Sequence, residues 1–105
     1  MVLAIETERS APVLDLDRAL LVERAAFAAK LRAARAVLGM SQDHFAQHVG
    51  LTQKSVHRIE QGTVQAKLRT ILTIEQFWRS RGIVFEDLRS GGFRLVVEGY
   101  VLLHD

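Results

Sequence analysis

Two groups of side chains in the 105-residue chain have the types and spacing of reactive sites. His44 and His48 stand four residues apart, the separation that stacks two imidazoles on one helix face and lets them share a metal ion. No glutamate lies between them in the order of a helix-borne metalloprotease site, and no third ligand is evident. The spacing therefore reads as an exposed polar pair, and no metal is expected. Ser41, Ser55 and the four histidines supply hydroxyls and bases for acyl transfer. The chain has neither a nucleophile elbow nor a glycine-rich phosphate loop, and one small domain leaves little room for a substrate pocket. These features argue against an enzyme and against a cofactor. A third group, Gln53, Lys54, His57 and Arg58, gathers an amide, an ammonium, an imidazole and a guanidinium within six residues. These are binding groups rather than reacting ones.

The elements that must position that group lie between Ser41 and Gly62, in SQDHFAQHVGLTQKSVHRIEQG. Ser41 is a good N-cap, and Phe45, Ala46 and Val49 follow it at helical spacing. Gly50 stops that helix, Leu51 plugs the turn, and Thr52 caps a second helix whose inward residues are Val56 and Ile59, with Gly62 ending it. Helices this short are not stable alone, so they must pack crosswise on neighbours and leave one face of the second outward. Gln53, Lys54, His57 and Arg58 are on that face.

Charge is distributed to match. The net charge is only +2. Residues 1–17 hold Arg9 against Glu6, Glu8, Asp15 and Asp17, a net −3, whereas residues 18–70 hold nine basic side chains against Glu23, Asp43 and Glu60, a net +6. Residues 71–105 return to −1. Positive potential is thus concentrated around the two short helices, where a polyanion would dock. At 49% hydrophobic content with a single proline, the chain is one small folded domain. It has no cysteine, which removes disulfides and thiol chemistry and is compatible with a reducing, cytoplasmic setting. The start, MVLAIETERS, lacks the basic opening and long apolar core of a secretion signal, and no stretch is suited to spanning a membrane.

From about Phe27 to Arg81 the chain resembles the Cro/C1-type (XRE) helix-turn-helix regulators. The features that carry the likeness are LRAARAVLGMSQ leading in, a small Ala46 in the first motif helix, GLT at the turn and RIEQG closing the second helix. The resemblance implies a mainly α, five-helix, lambda repressor-like DNA-binding domain, with the second motif helix in the major groove. It implies base contacts from Gln53, Lys54 and Arg58, with His57 assisting, since amides suit adenine and basic side chains suit guanine. Gln42, Thr52, Ser55 and Gln61 are expected on the sugar-phosphate backbone, joined by Lys67 and Arg69. Residues 63–66 carry no basic side chain, a departure from the family's usual loop. The family also pairs an arginine at the position of Arg35 with a glutamate at the position of Glu60. The implied partners are double-stranded DNA and a second copy of the chain, because one recognition helix reads few base pairs. The alternative readings are an antitoxin, which would add a toxin or co-regulator as protein partner, and a protein-interaction module that keeps the fold.

Around the motif, residues 1–16 read as a loose N-terminal arm, broken at Ser10-Ala11-Pro12, or as a short strand at Val2 to Ile5. A helical pattern then runs from Asp17 to Leu38, with a break near Glu23 to Ala26 unsurprising. Residues 67–81 carry a wide apolar stripe with Phe77 and Trp78. Together these make a DNA-binding domain over 17–82. Residues 83–105 change to period two with glycine-containing breaks, predicting two or three antiparallel strands. Phe77, Trp78, Phe85, Leu95 and Val97 are the candidates for dimerisation through this element, against the alternative of a hairpin folded onto its own helix.

Overall fold

The computed structural model describes the backbone of residues 2–99 and the side chains of residues 15–99. Four helices precede a hairpin: α1 (Val2–Leu38), α2 (Gln42–Val49), α3 (Gln53–Gln61), α4 (Leu68–Ser80), β1 (Ile83–Asp87) and β2 (Phe93–Val97). Among the described residues there are four helices, not the five that the resemblance implied, and after α4 comes the antiparallel pair expected from residues 83–105. The reason for the pair is local. Ile83–Asp87 and Phe93–Val97 alternate in side-chain direction and are rich in β-branched and aromatic residues, which suit a pleated surface better than a helix. The predicted third strand falls on residues 100–105, outside the described residues.

The first helix departs most from expectation. Its backbone is helical from Val2, so the segment expected as an arm or strand continues into the domain with no break at residue 17 or near Glu23 to Ala26. Pro12 withholds one backbone donor, while the alanine, leucine and glutamate on either side favour the helix. At 37 residues α1 is about 55 Å long, so it sets the 59 Å long dimension of the molecule.

The core gathers where the second half of α1 meets the other helices. Leu31 and Ala34 from α1, Phe45, Ala46 and Val49 from α2, Val56 and Ile59 from α3, Ile74 and Trp78 from α4, and Ile83 from β1 form one buried cluster. Trp78 is buried between Phe27 and Phe85, with ring centroids 5.6 and 5.0 Å away. Phe77 meets Phe45 edge-on at 5.2 Å and stacks on His48. The strands pair Ile83 with Val97 and Phe85 with Leu95, so Phe85, Leu95 and Phe93 lie on one face of the sheet and Val84, Glu86, Arg94 and Val96 on the other. Phe85 and Leu95 pack against the core cluster, and Lys30 lies over the rings of Phe85 and Phe93.

Between the two alternatives for the C-terminal element, the hairpin is folded onto its own chain. Trp78 is enclosed in the core, while Phe77 and Phe85 make their aromatic contacts within the same protomer. Of the residues expected at a dimer surface, Trp78 is buried in the core, while Phe77, Phe85, Leu95 and Val97 are half-buried. The physical cause is that α1 and α4 already present the apolar face that the hairpin needs.

If Trp78 is a core residue, Trp78→Ala should reduce unfolding free energy by about 3–5 kcal/mol in urea titrations followed by circular dichroism. A loss below about 1 kcal/mol would place the indole at the surface instead.

Candidate nucleic-acid interface

Both short helices are closed at each end by the residues the turn chemistry requires. Ser41 accepts a hydrogen bond from the His44 amide at 3.0 Å, and Thr52 accepts one from the Ser55 amide at 3.1 Å. Gly50 and Gly62 take positive φ of 70°, a conformation that would strain a residue with a Cβ, and their N–H groups return to carbonyls of the preceding turn. The Leu51 amide also donates to the Ala46 carbonyl at 2.9 Å, which holds the turn between the helices.

On α3, Val56, Ile59 and Glu60 face inward, while Gln53, Lys54, His57, Arg58 and Gln61 are exposed. At 100° per residue those five occupy one arc of about 140°, so they form a single outward face. Gln61 was expected only at the backbone, yet it shares this arc. Lys54 and Arg58 have no acidic partner within ion-pair distance among the described residues. Their charge faces solvent.

Behind this face lies a buried ionic network. Arg35 grips Glu60 with two parallel bonds, Nε to Oε2 at 2.7 Å and Nη2 to Oε1 at 2.9 Å, and its Nη1 donates to the Met40 carbonyl at 2.9 Å. Glu60 is only 4% exposed. The Gln42 amide nitrogen donates to Glu60 Oε1 at 3.0 Å, and an Arg32 guanidinium nitrogen donates to the Glu60 backbone carbonyl. Burial pushes the Glu60 carboxyl upward, but the bonds from Arg35 and Gln42 and the charges of Arg35 and Arg32 outweigh it and hold the carboxyl below its usual range. The same bond to Glu60 raises the Arg35 guanidinium above its ordinary value, with burial opposing.

The network reaches the outward face through Gln42. Its amide oxygen accepts from Gln53 Nε2 at 2.6 Å, and its amide nitrogen lies 3.3 Å from His57 Nδ1. An amide has two hydrogens, and these are aimed at Glu60 and His57. The phosphate-donor role expected of Gln42 therefore requires giving up an internal bond, and in the free protein the residue orients Gln53 and His57. This connection was not read from sequence, although a signal existed. Gln42 and Gln53 each follow directly on an N-cap, so they occupy equivalent first positions of two packed helices.

Other expected contacts are placed less closely. The Thr52 hydroxyl donates to Ser55 Oγ at 3.0 Å, leaving the Ser55 hydrogen free to turn outward. Lys67 and Arg69 are exposed at the start of α4, but no hydrogen bond or ion pair joins their side chains to the α3 face among the described residues. His44 and His48 bring their Nε2 atoms to 3.3 Å, and among the described residues no third His, Cys, Asp or Glu joins them as a ligand. No helix among the described residues is long and apolar enough to cross a membrane.

Residues 26–76 match the family model of a helix-turn-helix domain. This segment is similar to that family. The match begins in the second half of α1, covers both capped helices and ends within α4, so it coincides with the part of the fold that holds Glu60 and displays α3. The assignment is consistent with the Cro/C1-type regulators. A comparison with curated proteins finds no match to the chain.

Glu60→Ala should cost on the order of 3–5 kcal/mol of unfolding free energy, because Arg35 would keep its charge without a partner. The acid limb of stability carries the same signature. A depressed carboxyl contributes stability that is complete above the unfolded value, about pH 4.3, and is lost as pH falls through the folded one. Unfolding free energy of the wild type should therefore decline on acidification below about pH 4.3, and Glu60→Gln should flatten that decline. An unchanged slope in urea titrations across this range would show that the pair is not what holds α3.

Proposed function

We propose that the chain is a sequence-specific, double-stranded DNA-binding transcriptional regulator that lays α3 in the major groove. The observation that supports this best is the α3 face itself. Lys54 and Arg58, without an acidic partner among the described residues, stand beside Gln53 on a helix capped at both ends and anchored from behind by Glu60. A guanidinium such as Arg58 recognises guanine O6 and N7 with two bonds, and Gln53 has one amide hydrogen and its carbonyl left for an adenine edge. Because Gln42 fixes the Gln53 amide, that edge is presented without further ordering cost on binding.

Backbone contacts come in this reading from Ser55, from the N-terminal amides of α2 and α3, and from Lys67 and Arg69 at the flank. Gln42, Thr52 and Gln61 remain within reach of the same strand. The protein acts as a dimer on an inverted-repeat operator, since two α3 helices about 34 Å apart on one DNA face multiply a weak single-site affinity. In this reading the protein represses its own operon in the cytoplasm.

The test is selection of duplexes from random sequence, followed by anisotropy measurements with the enriched duplex at two salt concentrations. An inverted repeat should be enriched. Arg58→Ala should lose roughly 1–3 kcal/mol of binding free energy and relax preference at one base pair per half-site, and Gln53→Ala should relax a different one. Removing Lys67 or Arg69 should weaken all duplexes evenly and lower the salt slope by about one. Failure to enrich any sequence, with Arg58→Ala binding as the wild type does, would contradict base reading by α3.

A further inference from the structure

The outer part of α1 is too apolar for a helix in water. Leu16, Leu20, Leu21 and Val22 are 46–61% exposed. Leu20, Leu21 and Val22 are consecutive, so they point about 100° apart and the apolar surface goes round the helix rather than along one stripe. A helix of this character is covered on more than one side, and among the described residues only the loop after α3 and the hairpin tip approach it, across a cleft. Beside it opens a cleft of about 430 Å³, lined from α1 by Leu20, Glu23 and Phe27, from the loop after α3 by Val64, and from the hairpin tip by Leu88. Cleft and helix face are continuous through Leu20.

We propose that a second copy of this chain covers this surface, the two α1 helices running antiparallel and crossing near Leu16. This rests on the dimer of the preceding reading and gives it a surface different from the hairpin. Charge selects both the occupant and its direction. Residues 1–17 carry a net −3, and residues 18–30 carry Arg18, Arg24 and Lys30 against Glu23, a net +2. Parallel pairing would set the acidic segments against each other, whereas antiparallel pairing lays each acidic segment along the basic part of its partner. Centring the pair on residue 16 lays residues 2–14 of each helix along residues 18–30 of its partner. It also runs the N-terminal part of each α1 past the partner's Leu20 and Phe27, along the cleft.

The chain has no cysteine, so single cysteines introduced into the full protein report the crossing point directly. A disulfide needs Cα atoms within about 7 Å. Leu16→Cys should give a covalent dimer rapidly on mild oxidation without DNA. Leu20→Cys should not, because the two copies would stand about 12 Å apart along the axis. Val96→Cys, on the outer face of the hairpin, should also stay uncrosslinked. In sedimentation, Leu20→Asp should move the protein from dimer to monomer, while Trp78 fluorescence shows the core intact. The inference is overturned if the wild type sediments as a monomer at micromolar concentration, if Leu20→Asp remains dimeric, or if Leu20→Cys or Val96→Cys crosslinks as fast as Leu16→Cys. DNA is absent throughout, so each of these results leaves base reading by α3 to its own experiment.

Discussion

The bidentate pair between Arg35 and Glu60 is the constraint on which the rest of the interface depends. A nine-residue helix has too few residues to hold itself, and α3 buries only Val56, Ile59 and Glu60. Apolar contact keeps the helix against the bundle, but contact of that kind is not directional. The carboxylate is. With Arg35 on one side, Gln42 on another and Arg32 on the backbone carbonyl, Glu60 ties α3 to α1 and to α2 at once, and it fixes rotation about the α3 axis. Base recognition needs that rotation, because a turn of one residue would exchange Arg58 for Ile59 at the exposed face.

Gln42 carries this constraint outward. It joins the buried carboxylate to Gln53 and His57, so the side chains that would meet bases are ordered by the same charge that holds the helix. Such a network is costly if half satisfied, and here each side-chain oxygen and nitrogen of Glu60, Gln42 and Arg35 has a partner of suitable geometry. Positioning and stability are therefore linked in one cluster. The hairpin plays a separate part. By setting Phe85 against Trp78 it completes the core behind the motif.

The helix-turn-helix was legible because its punctuation is local. Ser41, Gly50, Thr52 and Gly62 each act through their own backbone conformation, and the outward face of α3 follows from those four residues and the 3.6-residue period. The Arg35–Glu60 contact was reachable only through family resemblance, since nothing in residues 25 apart specifies contact. The Gln42–Gln53 bond depends on how two helices pack, which is a tertiary fact, and spacing alone did not show it. The extent of α1 was missed for a different reason. Ser10-Ala11-Pro12 looks like a breaker, yet one missing donor does not outweigh strong helix formers on both sides. For the hairpin, alternation gave the strands but not their partner, because the same apolar face fits its own helix or another chain's.

In the proposed reading a helix pinned by Glu60 presents Gln53, Lys54 and Arg58 as the surface that meets DNA. Amide and side-chain NMR shifts during titration with a short duplex test it most directly, since even sequence-independent binding uses the same face. The largest changes should fall on Gln53, Lys54, His57 and Arg58 and on the first turns of α2 and α3, with β1 and β2 unaffected. Changes centred on the hairpin, with the α3 face unchanged, would contradict it.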